Sequence, residues 1–200
     1  MNDPNQATPK TAKRLQLLPV LIFLAVAGLF AVALRTGEPT KLPSTLIGKR
    51  VPSSSFPQIE GLVANSRPVP GFSDADLAKG HVSLVNFWAS WCASCMADHA
   101  LIADLKAKTN VDVFGVDYKD SAIEARRFLS RYGNPYTAVG ADESGRTAID
   151  WGVYGMPETF VINGQGEVVY KHVGAMSEEA IASKIIPAIE AARGPTPPKI

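Results

Sequence analysis

Hydrophobic and polar positions change their spacing repeatedly along this chain, and each change predicts a different element. Residues 82–88 (VSLVNFW) form a nearly unbroken apolar run, the pattern of a strand buried on both faces. Residues 93–108 carry Met96, Leu101, Ile102 and Leu105 in a pattern that predicts a helix. Residues 111–116 predict a second strand, and 121–132 a helix whose Ser121 and Glu124 have the spacing of a capping box. Residues 136–139 predict a short strand and 145–151 a short helix. Two further apolar runs, 158–162 and 167–170, flank Asn163-Gly164-Gln165-Gly166 and predict a hairpin. Residues 177–192 predict a closing amphipathic helix, and 73–77 a short capped helix upstream. Alternating helices and strands followed by an antiparallel pair predict an α/β fold, a mixed sheet with helices on both faces.

The N-terminal pattern is different. Residues 15–34 (LQLLPVLIFLAVAGLFAVAL) contain no charge, and about 20 such residues in a helix span a bilayer core. Lys10, Lys13 and Arg14 precede them, which predicts a cytoplasmic N-terminus and an exported remainder. Pro19 is tolerated in a membrane helix. Ala31-Val32-Ala33 also fits a signal-peptide cleavage pattern, an alternative that exports the same domain without the tether. The expected organisation is a cytoplasmic tail (1–14), one transmembrane anchor (15–34), a linker (35–57), a folded domain (58–192) and a disordered tail (193–200). Pro39, Pro43, Pro52 and Pro57 predict that the linker acts as a stiff spacer.

Charge and cysteine content narrow the chemistry. A net charge of +1 gives no electrostatic case for nucleic acid. Two cysteines are too few for a disulfide scaffold. Both lie in Trp91-Cys92-Ala93-Ser94-Cys95, between a predicted strand and a predicted helix. At a helix N-terminus, free amides and the macrodipole favour a thiolate at Cys92, the attacking species in disulfide exchange. Cys95, one turn on, is placed to resolve a mixed disulfide. A purely structural disulfide of this spacing would constrain little of the unfolded chain. Zinc needs about four ligands, and His81, His99 and His172 lack the spacing to supply the rest. No metal or cofactor is expected beyond the redox-active Cys92–Cys95 pair. A copper-delivery site from Cys92, Cys95, Met96 and His99 is an alternative of another class, since thiolate and thioether suit Cu(I).

Several segments together carry a more specific resemblance. Trp88-Ala89-Ser90-Trp91-Cys92-Ala93-Ser94-Cys95, Tyr118-Lys119-Asp120, Gly133-Asn134-Pro135-Tyr136 and the stretch from Gly152 to Phe160 (GVYGMPETF) resemble the CcmG/DsbE family. That family comprises membrane-anchored, thioredoxin-like thiol:disulfide interchange proteins of cytochrome c maturation. The resemblance covers about residues 46–189. It implies a thioredoxin-like domain in the periplasm, held by a single pass in a bacterial inner membrane. It implies reduction of disulfides in apocytochrome c Cys-x-x-Cys-His segments before haem attachment. The implied partners are apocytochrome c or other maturation proteins, and a transmembrane electron donor of the DsbD/CcdA kind. A general periplasmic reductant of the TlpA or ResA kind is the alternative within the same fold.

Residue by residue, the resemblance implies Cys92 as nucleophile and Cys95 as resolving thiol. Pro157 would be a cis-proline facing them, with Met156 offering a backbone edge to an extended substrate. Glu158 and Asp98 are implied carboxylates of the site, Asp98 standing where the family usually has glutamate. Asn86 occupies a position where thioredoxins carry a buried aspartate, so Glu158 is expected to supply the missing carboxylate for proton transfer. Trp91 is expected to shield the thiols and Tyr118 to shape the substrate groove. Trp88 is expected in the core and His99 on the surface.

Overall fold

The computed structural model describes residues 12–36 and 44–194, which fall into two units dividing near Leu42. In the first, helix α1 runs Ala12–Thr36 with Pro19 inside it. Its described side chains, 18–32, are all exposed and include Leu21, Phe23, Leu29 and Phe30. Among the described residues, no helix is long and apolar enough to cross a membrane. Residues 1–11, 37–43 and 195–200 lie outside the described residues, and with them most of the expected cytoplasmic tail, part of the linker and most of the C-terminal tail.

The second unit is built on a five-stranded sheet in the order β7-β6-β5-β8-β9. Central β5 (Ser83–Trp88) is buried at every position. It pairs in parallel with β6 (Asp112–Tyr118), which pairs in parallel with β7 (Ala138–Asp142). On its other side β5 pairs antiparallel with β8 (Glu158–Ile162), which turns back into β9 (Val168–Val173). Helix α2 (Ala93–Thr109) connects β5 to β6, α3 (Ala122–Tyr132) connects β6 to β7, and the short α4 (Arg146–Asp150) follows β7. The chain closes with α5 (Glu178–Ala180), a π-helical turn (Ile181–Ile185) and α6 (Ile186–Ala192). This is the mixed, helix-flanked sheet expected from the sequence. The capped helix predicted at 73–77 is a 3₁₀ turn, Asp74–Ala78, with Asp76 closing the cap onto Ser73.

Strand alternation divides the core in two. Leu84 and Trp88 of β5, with Val161 of β8, face α2, α3 and the C-terminal helix. Val85 and Phe87, with Phe160 and Ile162, face α4 and the N-terminal strands. Gly115 of β6 leaves room for the Tyr136 ring: a Cβ there would come within 2.8 Å of it.

Residues 44–57, read from the sequence as part of a spacer, pack onto the domain. The backbone of Gly48 and Val51 bonds to Val168 and Gly166. Ser54 is buried and accepts the Trp151 indole N–H at 2.8 Å. Phe56, in β1 (Ser55–Phe56), packs its ring against Phe87 and Trp151. Pro52 and Pro57 lie in irregular backbone, but Phe56 supplies apolar area that binds the segment to the core. Strands β2 (Val63–Ala64), β3 (Arg67–Pro68) and β4 (Phe72–Ser73) complete two small antiparallel pairs, β1 with β4 and β2 with β3, that no sequence pattern predicted.

Candidate active site

Cys92 is the N-cap of α2, where β5 ends and the helix begins. It is disulfide-bonded to Cys95. Cys92 is the more open of the two, at 6% exposure against 2%. The Cys95 amide N–H points at Cys92 Sγ, 3.1 Å away. The same amide also reaches the Cys92 carbonyl at 3.2 Å; in the reduced protein its donation to the sulfur, at the helix N-terminus, favours the thiolate.

The loop carrying Cys92 is fastened from the side. Asp120 Oδ2 accepts the Ser90 amide N–H at 2.7 Å, and the Lys119 carbonyl accepts the Trp91 indole N–H at 3.3 Å. Trp91 is 60% exposed and its ring lies 6.3 Å from that of Tyr118. The Tyr118-Lys119-Asp120 turn therefore meets the loop directly, with Lys119 in the left-handed region.

Asp98 lies one turn beyond Cys95 on the buried face of α2. Its Oδ1 accepts the Met176 amide N–H at 2.9 Å, and Oδ2 has no partner. Burial pushes this carboxyl up to about 7, opposed by the Met176 bond. Beneath the helix, Asn86 donates to Thr159 Oγ1 at 3.0 Å and accepts from the Tyr136 hydroxyl at 2.8 Å.

Glu158 lies elsewhere than expected. The residue begins β8 on the face shared with Phe160 and Ile162, away from α2. It is fully buried and ion-paired to Lys171 of β9 at 2.8 Å. Burial raises its carboxyl above the usual range, and Lys171 opposes that rise. Its Oε1 accepts the Tyr154 amide N–H at 3.2 Å. Lys171, itself only 4% exposed, also donates to the Gly152 carbonyl at 2.8 Å and sits 4.1 Å from the Tyr154 ring centroid. The pair thus clamps the Gly152–Pro157 loop at Gly152 and Tyr154. Pro157 is cis, as expected, and Met156 packs against both halves of the core. Lys171 was missed in the sequence; its one signal is a lysine just after the apolar run 168–170.

His99 corrects the surface expectation. It is 2% exposed, its Nε2 donates to the Gly133 carbonyl at 2.9 Å, and its ring packs among Trp88, Phe128 and Tyr136. Burial pushes its pKa down. Met96 Sδ accepts from the Tyr132 hydroxyl at 3.0 Å. Cys92, Cys95, Met96 and His99 therefore do not converge as copper ligands. His81 contacts Asp112, and His172 bonds to the Ala175 carbonyl.

A disulfide spanning the first turn of the helix that follows the central strand of a mixed sheet, in a domain that also carries a cis-proline at Pro157, defines a thioredoxin-fold dithiol–disulfide oxidoreductase. Comparison with known proteins agrees: the Redoxin family matches residues 48–186. The thiol:disulfide interchange protein HelX of Rhodobacter capsulatus is 39% identical over 88% of this chain and 96% of its own. The DsbE homolog of Paracoccus denitrificans is 42% identical over 89% of this chain and 94% of its own. A solved Chlorobium tepidum structure, described as a thiol:disulfide interchange protein DsbE, superposes with a TM-score of 0.60 at 27% identity, covering 72% of this chain and 96% of that one. The chain belongs to the DsbE/CcmG family of thiol:disulfide interchange proteins.

Proposed function

We propose that this protein is a membrane-tethered reductant on the periplasmic face of a bacterial inner membrane, opening disulfides in apocytochrome c Cys-x-x-Cys-His segments before haem attachment. The observation that carries the chemistry is the Cys92 sulfur at the N-cap of α2, with the Cys95 amide aimed at it. Family membership supports the client. The uncharged run 15–34 and the exposed apolar side chains of α1 support the tether.

In the forward step the Cys92 thiolate attacks one sulfur of the client disulfide. A mixed disulfide forms, and the other client sulfur leaves as a thiolate and takes a proton. Cys95 then loses its proton and attacks Cys92 Sγ. The second client sulfur leaves and is protonated. Two electrons pass to the client together with two protons, one released by Cys95 and one taken from solvent to replace that lost when Cys92 ionised, and the protein leaves as the Cys92–Cys95 disulfide. Asp98, buried beside Cys95 with one free oxygen, is the group proposed to take up the Cys95 proton. Glu158 acts at a distance, through Lys171 and the loop that presents Met156 to an extended client. Trp91 and Tyr118 line the approach to the sulfur. A transmembrane donor of the DsbD/CcdA kind would restore the dithiol.

The test is trapping in cells with full-length Cys95→Ala. A stable mixed disulfide between Cys92 and apocytochrome c is expected. Adducts formed only with unrelated exported proteins would overturn the client assignment.

A further inference from the structure

A second buried carboxylate, outside the motif chemistry, lies beneath the loop that carries Cys92. Asp117 is the penultimate residue of β6 and is 1% exposed. It pairs in register with Trp88 of β5, just before that loop, and alternation turns it toward the α2 side of the sheet. Its carboxyl bonds to that of Asp120, while Oδ1 has no partner. Asp120 in turn accepts the Ser90 amide at 2.7 Å and the Ser121 amide at 2.8 Å. A continuous strut therefore runs from Asp117 through Asp120 to Ser90, two residues before the attacking sulfur.

We propose that Asp117 is a positioning residue for Cys92: its protonated carboxyl donates to Asp120, and the pair holds the Ser90–Cys92 loop in the geometry that exchange requires. Two carboxyl groups in contact share one proton because both cannot ionise together cheaply. Burial, then Asp120, then Glu143 beyond β7 push Asp117 up to about 8. On the same face the Tyr136 hydroxyl feels both Asp117 and Asp98 of α2. Loss of the Asp117 proton removes the donor and sets two negative groups against each other. Asp120 then swings from the Ser90 amide and the loop loosens.

The proposal rests on Cys92 being the attacking sulfur, so its test begins where no thiol takes part. In the oxidised full-length protein, the Ser90 amide signal followed by NMR is expected to titrate with a midpoint near 8. Asp117→Asn keeps a donor that never ionises, and that step should vanish. Asp120→Asn removes the neighbouring charge, and the midpoint should fall. In the reduced protein at pH 7, Asp117→Leu should slow exchange with a small disulfide by about tenfold, and Asp117→Asn should stay within about twofold of wild type. A Ser90 signal that titrates identically in Asp117→Asn overturns the strut. So does Asp117→Leu exchanging as fast as wild type. Should the leucine variant fail to fold, the midpoint in Asp120→Asn still decides. Failure of client trapping with an intact Ser90 titration would count against the client assignment alone.

Discussion

Replacing Asp98 with asparagine should stabilise the protein, and by an amount that depends on pH. Asp98 is almost wholly buried, with one oxygen bonded to the Met176 amide and the other unpartnered. Its pKa rises from 3.8 in the unfolded chain to about 7 in the folded one. Below pH 3.8 both states hold the proton and the residue contributes nothing to the pH dependence. Between about 4 and 7 the folded state binds the extra proton, so stability falls as pH rises. Above 7 the loss is complete. A shift from 3.8 to about 7 corresponds to a loss of about 4 kcal/mol at most. Asparagine copies the protonated carboxyl: its oxygen accepts the Met176 N–H, and its amide group takes the place of the O–H. The variant should therefore match wild type near pH 4 and exceed it by up to about 4 kcal/mol at pH 8. Urea unfolding of the oxidised protein across that range measures the difference, and oxidation removes the thiols from the titration. Asp117 bends both curves equally and cancels in the subtraction. Parallel curves for the two proteins would refute the reasoning. In the reduced protein the same substitution should slow resolution by Cys95, so stability and turnover move in opposite directions.

Two other substitutions probe the packing around the site. Lys171→Met leaves Glu158 charged and unpaired in a fully buried position, at a cost of about 3–5 kcal/mol. The double variant with Glu158→Gln should recover much of that stability, which thermal unfolding of both proteins will show. Gly115→Ala drives a methyl group into the Tyr136 ring and should cost about 1–3 kcal/mol. The same strain should disturb the Tyr136–Asn86 hydrogen bond, measurable as faster exchange of the protons it protects.

The central strand, α2 and the cysteine pair were legible because each obeys a local rule. Residues 82–88 are a nearly unbroken apolar run, and the helix begins where the first cysteine caps it. His99 was misplaced for want of one comparison. Cys95, Asp98, His99, Ile102, Leu105 and Thr109 are the buried face of α2, and their spacing of three and four marks one side of a helix. Strand ends shifted for a different reason. β7 begins at Ala138 and β9 extends to Val173 because pairing partners, not local composition, set where a strand stops. The Glu158–Lys171 clamp depends on two strands lying side by side, as does the Asp117–Asp120 strut on a turn folding back over β6. Neither geometry is present in residue spacing alone. The N-terminal strands escaped notice because each is two residues long, too short for any period to register.

The clamp's position has a practical bearing. Glu158 and Lys171 grip the Gly152–Pro157 loop from the face of the sheet opposite α2, so the residues that shape the loop and those that move electrons occupy separate compartments. On the role proposed above for this loop, residues 152–158, transplanted together with a lysine at the site matching 171 into another scaffold of the same sheet order, are expected to carry partner choice with them while leaving the recipient's own potential in place.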